Sequence, residues 1–490
     1  MSRRVHAALP ASRSPTARRL FGCLALACVL ICAVAGGASY AQTGASLPAP
    51  LRAVAELPGE VGLIALPLDG GPPLVAHKAS LPLNPASTMK LVTSYAALSV
   101  LGPQYRWYTG AYLRGRLDGD VLLGDLVLRG GGDPKLVVED LAEFVARMRQ
   151  AGLREIRGDL VVDDSIFDVG DESVERFDGD PSQPYNVRPH GLLMNFKAAR
   201  VVVQPGNGAA SVTLDPALAD VEIDNRVRVV RGPCRHGPSS LTVRDSGAGP
   251  QPRIDVSGQY SLGCGEQGIF TAVLTHRQFI HGLFKAAWLQ AGGRFDGKTR
   301  IERGAARGQP WLEWTSPRTL GDVVRDVNKF SNNVMSRQVL LQLASDRGAR
   351  PATQDGAQAA LREWLIAQKL SFPELVVDNG SGLSRNERIS AESLARLLRH
   401  AAASPHADAI RESLPVVGLD GTMKYRLAGE PVAGRAWIKT GSLADVRAIA
   451  GYVDAASGRR YAVVMMINGP QAGGTQPLQD QFLRWVHANG

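Results

Sequence analysis

Three short stretches of this chain hold residue types that could act together on an acyl group. The first is Ser87-Thr-Met-Lys90. A serine and a lysine three apart on a helix share one face. Desolvation disfavours the charged form of a lysine, and a neutral amine can take a serine proton. Ser87 is the only serine in the chain with a lysine at the third following position. Taken alone, the pair is equally well an ordinary amphipathic helix start.

The second stretch is Ser331-Asn-Asn333, ahead of a run in which Met335, Val339 and Leu343 recur every four residues. Taken alone it reads as a helix N-cap. Ser384-Arg-Asn386 has the same spacing but follows a glycine-serine loop, Gly380-Ser-Gly382. The third stretch is Lys439-Thr-Gly441. A strand presents alternate residues to one face, so Lys439 and Gly441 would line one side, where a glycine lets a substrate backbone come close. A cation beside the Thr440 hydroxyl suits a carboxylate.

These stretches need elements to hold them. Residues 60–66 read as a strand, and a helix is predicted from about 87 to 100, ending before Gly102-Pro103. From 106 to 269 the pattern changes to short β-type runs (125–128, 159–163, 200–203, 221–224) separated by Gly, Pro, Asp and Asn. Helical patterns return at about 277–291, 319–345, 354–369 and 390–403. Runs at 436–438, 448–453 and 461–467 read as strands, the last two as a hairpin turning at 455–458. A final helix carries Leu478, Phe482 and Trp485. The outline is an α/β domain whose ends flank a β-rich insertion.

The chain has 490 residues, 44% hydrophobic and 21% charged, with a net charge of +9. That composition excludes a disordered tail, a fibre and a multi-span membrane protein. Five of the positive charges (Arg3, Arg4, Arg13, Arg18, Arg19) precede residue 42, where there are no acids, leaving +4 for the rest. So small an excess, scattered along the chain, does not point to nucleic acid. Arg18-Arg19, an apolar run from Leu20 to Val34 and Ser39-Tyr-Ala41 read as a signal peptide over residues 1–41, with an uncleaved anchor as the alternative. Beyond it only Cys234 and Cys264 remain, which suggests one disulfide in an exported, periplasmic protein, or else two buried thiols. The nine histidines are dispersed and form no H-E-x-x-H string, so neither a catalytic metal nor a cofactor is expected. Gly292 to Thr299 matches a phosphate-loop string, but a helical pattern precedes it where a strand is required.

The ordered set S-x-x-K, S-x-N, K-T-G is far more specific than its parts. With it the chain resembles the low-molecular-mass class C penicillin-binding proteins, serine-type D-alanyl-D-alanine carboxypeptidases and endopeptidases. Further matching blocks are Gly124–Leu128 with Gly130–Pro134, Gly158–Asp164, Asn379–Arg385 and Gly418–Thr422. The 244 residues between Ser87 and Ser331 exceed what a compact β-lactamase would hold.

The resemblance implies an antiparallel sheet flanked by helices, a helical lobe and a β-rich inserted region. The peptidase domain would be discontinuous, 42–105 with 270–490, and the insertion would span 106–269 as two small domains. By resemblance Ser87 is the nucleophile, Lys90 the base, Ser331 the proton relay and Asn333 the residue orienting the substrate amide. Lys439, Thr440 and Gly441 would receive the terminal carboxylate, and the N–H groups of Ser87 and Ser442 would form an oxyanion hole. Arg385 is expected to contact the stem peptide, and Asp163, with Asp164 and Phe167, to bind an amino group of its third residue; a paired loop arginine and a solvated acidic turn are the plainer readings. The implied partners are peptidoglycan peptides, with β-lactams as covalent inhibitors and room for a homodimer. A serine β-lactamase and a non-catalytic wall-binding protein are the alternatives. The first lacks a Glu-x-x-Leu-Asn string here, and the second has no use for a nucleophile beside a base.

Overall fold

Strand Glu60–Pro67 and strand Arg460–Asn468 are buried along nearly their whole length. They pair antiparallel from Glu60 opposite Asn468 to Pro67 opposite Tyr461. Continuous apolar runs of this kind mark strands covered on both faces. Here Val75–His77, Glu60–Pro67, Arg460–Asn468, Val446–Asp454 and Ala436–Leu443 lie in that order in one antiparallel sheet. Alternate residues serve two cores. Ile64, Leu66, Ala450 and Val464 pack against the helices of one face, and Leu63, Ala65, Val463 and Met465 pack against Leu51, Phe482 and Val486 on the other. The computed structural model describes residues 47–170, 177–246 and 251–490, so the expected signal peptide lies outside the described residues.

The helices are α1 (Lys90–Leu101), α2 (Val138–Gln150), α3 (His276–Gln290), α4 (Leu320–Lys329), α5 (Asn333–Asp346), α6 (Gln354–Ala367), α7 (Ala391–Ala402), α8 (Ala407–Ser413) and α9 (Gln476–Asn489). None among the described residues is long and apolar enough to cross a membrane. The first core joins α1, α4, α5, α6 and α7 to the sheet, and α9 covers the opposite face. This is the predicted arrangement, an antiparallel sheet between helices with a helical lobe beside it.

Two predictions need adjusting. The apolar periodicity over 319–345 reads as one helix, but the chain breaks at Phe330–Asn332, where Ser331 takes a left-handed φ of +59°. Periodicity continues across the break because both helices face the same core. The sheet built from the 106–269 stretch also continues beyond 269. A seven-stranded sheet that begins with Tyr108–Asp118 and Val121–Gly130 also takes Arg294–Phe295, Thr299–Ile301 and Leu312–Thr315. Its core holds Leu126, Phe144, Phe279, Phe284, Trp288 and Trp314, so the change of core falls near residue 315. The same region contains α2, a helix in a stretch that reads as β. Two three-stranded sheets complete it, and Cys234 and Cys264 are joined in a disulfide. The phosphate-loop string leaves α3 and enters two short strands, as its surroundings in the sequence require.

Candidate active site

Pro85 leads into a 3-10 turn, Ala86–Met89, that runs directly into α1. Ser87 therefore sits on the turn, not on the helix that the spacing predicts, and Lys90 is the first residue of α1. Residues three apart eclipse in a 3-10 turn, so the pair still meets, with Lys90 Nζ 3.0 Å from Ser87 Oγ. Ala86 has a left-handed φ of +44°. Such a conformation costs of order 1–3 kcal/mol in a residue with a Cβ and persists only where its surroundings impose it. Asn84 Oδ1 accepts the Ala86 N–H at 2.9 Å, and the Thr88 hydroxyl donates to Pro85 O at 2.8 Å. Asn84 is itself fixed, because its N–H donates to Asn468 Oδ1 and its side-chain amide donates to Ser384 O.

The second stretch reaches the same place from α4 and α5. Asn332 caps α5 by accepting the Met335 N–H at 3.0 Å. That leaves Ser331 and Asn333 pointing to the cleft. Asn333 Oδ1 accepts from Lys90 Nζ at 2.7 Å, and Ser331 Oγ accepts from Lys439 Nζ at 2.9 Å. The Ala436–Leu443 strand, at the sheet edge, supplies Lys439. Its ammonium also donates to Thr440 O at 2.7 Å, and the Thr440 hydroxyl bonds the Thr422 hydroxyl at 2.9 Å. Ser87, Lys90 and Asn333 thus form one hydrogen-bonded set and Ser331 and Lys439 another, the two meeting through the adjacent residues 331–333 and through the charge of Lys439 acting on Lys90, in segments up to 352 residues apart.

Both lysines are fully buried. Burial, with the neighbouring charges of Lys439 and Arg337, holds the Lys90 amine well below the usual lysine range, and buried Glu387 pulls the other way. Burial lowers Lys439 to about 7. Lys90 Nζ has three partners: Ser87 Oγ, Asn333 Oδ1 and Ser381 O. A neutral amine would spend its two N–H groups on the two carbonyl oxygens. Its lone pair then faces Ser87, the arrangement that accepts a hydroxyl proton.

Gly441 has a different use from the one its place in the strand suggests. A Cβ there would stand 2.8 Å from Pro85 O and 2.9 Å from Ser87 N. The missing side chain lets the strand lie against the Ala86–Met89 turn. Ser442 follows on the strand and is exposed. Arg385 stands over the Phe177 ring at 4.9 Å, on the wall of a cavity of about 390 Å³ that also takes Asn379, Ser384 and Asn386. Ser384, the rival to Ser331, donates to Asp378 Oδ2 at 2.6 Å and does not touch either lysine.

Asp163 does not join the group. It is fully buried, and its carboxylate accepts N–H bonds from Ser165, Gly304 and Ala306 at 3.0–3.1 Å. Those bonds tie the strand end to a neighbouring loop and leave no face for a substrate amine, contrary to the sequence expectation. Three contributors escape the motif reading. Ser381 and Thr422 lie inside the matching blocks, but Ser381 acts through its carbonyl, which no residue type reveals. Glu387 is fully buried and accepts the N–H groups of Asp378, Asn379 and Gly380 on one oxygen at 3.3, 3.1 and 2.8 Å. Its neighbours Arg385 and Arg388 make it read as a surface residue.

A family model described as the D-Ala-D-Ala carboxypeptidase 3 (S13) family matches residues 46–488. The chain is 26% identical over 427 residues to the D-alanyl-D-alanine carboxypeptidase DacB of Haemophilus influenzae, covering 84% of this chain and 86% of that protein. It is 28% identical over 440 residues to a D-alanyl-D-alanine carboxypeptidase of Actinomadura, covering 86% and 79%. Among solved structures, penicillin binding protein 4 of Haemophilus influenzae superposes with a TM-score of 0.77 at 24% identity, over 90% of this chain and 99% of that one.

Proposed function

The chain belongs to the D-Ala-D-Ala carboxypeptidase 3 (S13) family, and from that premise we propose that Ser87 is the nucleophile of a serine DD-peptidase acting on peptidoglycan stem peptides and their cross-links. The observation that carries the assignment is the buried Lys90 amine 3.0 Å from Ser87 Oγ, with both its other partners acceptors. Lys90 takes the hydroxyl proton as Ser87 Oγ bonds to the carbonyl carbon between two D-alanines. Asn333 orients the substrate amide beside it. The N–H groups of Ser87 and Ser442 receive the developing oxyanion, the kind of contact that usually contributes most to such reactions. As the C–N bond breaks, Ser331 relays to the leaving amine the proton that Lys90 took, which returns Lys90 to its neutral form. Lys439 and Thr440 hold the carboxylate of the leaving residue. Water then attacks the ester, releasing the shortened peptide and the Ser87 hydroxyl.

Arg385, at the mouth of the 390 Å³ cavity, would contact the acyl-side stem. β-Lactams, which resemble the D-Ala-D-Ala end, would acylate Ser87 and leave slowly. Export to the periplasm completes the reading, supported by the basic-apolar-small pattern of residues 1–41 and by the disulfide. The peptidase body and inserted region remain its two parts, with the insertion extended to about residue 315. The test is labelling by a fluorescent penicillin, which is expected to disappear in Ser87→Ala while the variant keeps the wild-type Tm. Undiminished labelling of that variant would overturn the assignment.

A further inference from the structure

A cavity of about 620 Å³ opens beside the catalytic group, between α4 and the Leu419–Lys424 loop. Lys329 and Phe330 on its wall directly precede Ser331, and Gly421 directly precedes Thr422, whose hydroxyl meets that of Thr440. The cavity therefore starts where the leaving-residue carboxylate site ends. The acyl side is assigned to the Arg385 cavity, which shares no lining residue with this one.

Five cations line it (Lys135, Arg318, Arg325, Lys329 and Lys424) against three carboxylates, Asp322, Asp326 and Asp420. Lys135, Arg318 and Lys329 are committed to ion pairs with Asp326, Asp140 and Asp420. Among the described residues Arg325 and Lys424 are in no ion pair, and both are exposed. The walls also carry apolar surface that the fold does not cover. α4 buries Leu320, Val323, Val324 and Val327, yet its C-terminal neighbour Phe330 is 71% exposed, and Leu419 across the opening is 61% exposed.

A single alanine leaving group needs none of this, because Lys439 and Thr440 hold it. A space of this size suits a larger ligand. We infer that the cavity is a leaving-side subsite that binds the second, carboxylate-bearing stem peptide of a cross-linked substrate. The inference rests on the DD-peptidase reading. In that reaction the C–N bond broken is the cross-link itself. The acyl half stays on Ser87 Oγ, and the amine of the second stem departs with its proton through the cavity. Arg325 and Lys424 meet its carboxylates, and Phe330 and Leu419 meet its aliphatic parts.

The experiment compares kcat/KM of the full-length protein on a purified cross-linked muropeptide dimer and on a monomeric pentapeptide stem, for wild type and R325E/K424E. An exposed charge contact contributes a factor of roughly three, so reversing both is expected to lower kcat/KM on the dimer about tenfold. The loss should shrink at high salt, and D-alanine release from the pentapeptide should stay within about twofold of wild type. Equal losses on the two substrates, or no loss on the dimer, would overturn the subsite. A wild-type protein that cleaves neither substrate would overturn the DD-peptidase reading instead.

Discussion

Replacing Gly441 by alanine tests whether the edge strand sets the position of the nucleophile. Gly441 does not have a left-handed φ, so alanine fits its backbone. The new methyl would stand 2.9 Å from Ser87 N and 2.8 Å from Pro85 O, about half an ångström inside ordinary contact at 3.4 Å. Both are main-chain atoms of a turn already held at Ala86 by Asn84, so neither can rotate away. Strand and turn must part. A 1 Å misplacement in an active site can cost about a hundredfold, so half that distance predicts a loss of about tenfold in acylation. Overpacking of this kind costs about 1–3 kcal/mol of stability. The assay is the second-order rate of labelling by a fluorescent penicillin, with the Tm measured alongside. Gly474→Ala is the control, because a Cβ there meets nothing within 4 Å; it should keep the wild-type rate. A Gly441→Ala protein that labels at the wild-type rate with an unchanged Tm would show that the strand does not press on the turn, and the argument would fail.

The pH dependence follows from the two lysines. Lys90 must be neutral to act as base and Lys439 charged to hold a carboxylate, so kcat/KM on a pentapeptide should rise with pH on the Lys90 limb and fall above about 7 as free Lys439 loses its proton. Bound carboxylate favours the charged form of Lys439, so the falling limb of kcat should lie at higher pH; a kcat/KM profile flat from about pH 6 to 9 would contradict this. In Glu387→Gln the acceptor for the three N–H groups remains but the charge that raises the Lys90 pKa, carried by Glu387 as it ionises at about 7 and above, is gone, so near neutral pH a larger share of Lys90 should be neutral and the acid limb of acylation should move to lower pH. A shift to higher pH would refute that coupling. Non-reducing mass spectrometry after alkylation should find Cys234 and Cys264 unmodified, and reduction should cost roughly 3–4 kcal/mol if the loop they close is flexible when unfolded.

The sheet was legible because covering both faces writes an unbroken apolar run, as in Tyr461–Ile467, and because hydrophobic periodicity survives wherever a helix packs on one core. The apolar periodicity alone does not show the break at Ser331, since α4 and α5 face the same neighbours; the Ser331-Asn-Asn333 cap signal does, one residue early, with Asn332 as the cap. Nor does the periodicity show that the sheet of the 106–269 stretch continues beyond 269. Arg294–Phe295 and Thr299–Ile301 are too short to announce themselves as strands, and only their pairing with strands over a hundred residues earlier assigns them to that core. That Ser87, Lys90, Asn333, Ser331 and Lys439 meet was legible because the proposed chemistry depends on residue type at fixed spacing. Ser381 was not, because a backbone carbonyl can be lent by any residue.

Asp163 and Glu387 show where reading by residue type fails in opposite directions. Both are buried carboxylates that accept three backbone N–H groups. Asp163 spreads its bonds over both oxygens, and its pKa falls below the ordinary range. Glu387 receives all three on Oε1, leaves Oε2 without a partner and rises to about 7, burial outweighing its hydrogen bonds and the charge of Lys90. The first is a fastening, complete in itself. The second holds the Asp378–Gly380 main chain, and one residue further on that loop offers Ser381 O to Lys90. An uncompensated ammonium is expensive to bury, and both buried lysines are pushed toward the neutral amine by that cost. Glu387 is the carboxylate whose charge acts on Lys90 from inside the same loop. The difference between a carboxylate that acts on the base Lys90 and a spectator is therefore set by which main chain it holds, a property of the folded loop that no spacing of residues in the sequence encodes.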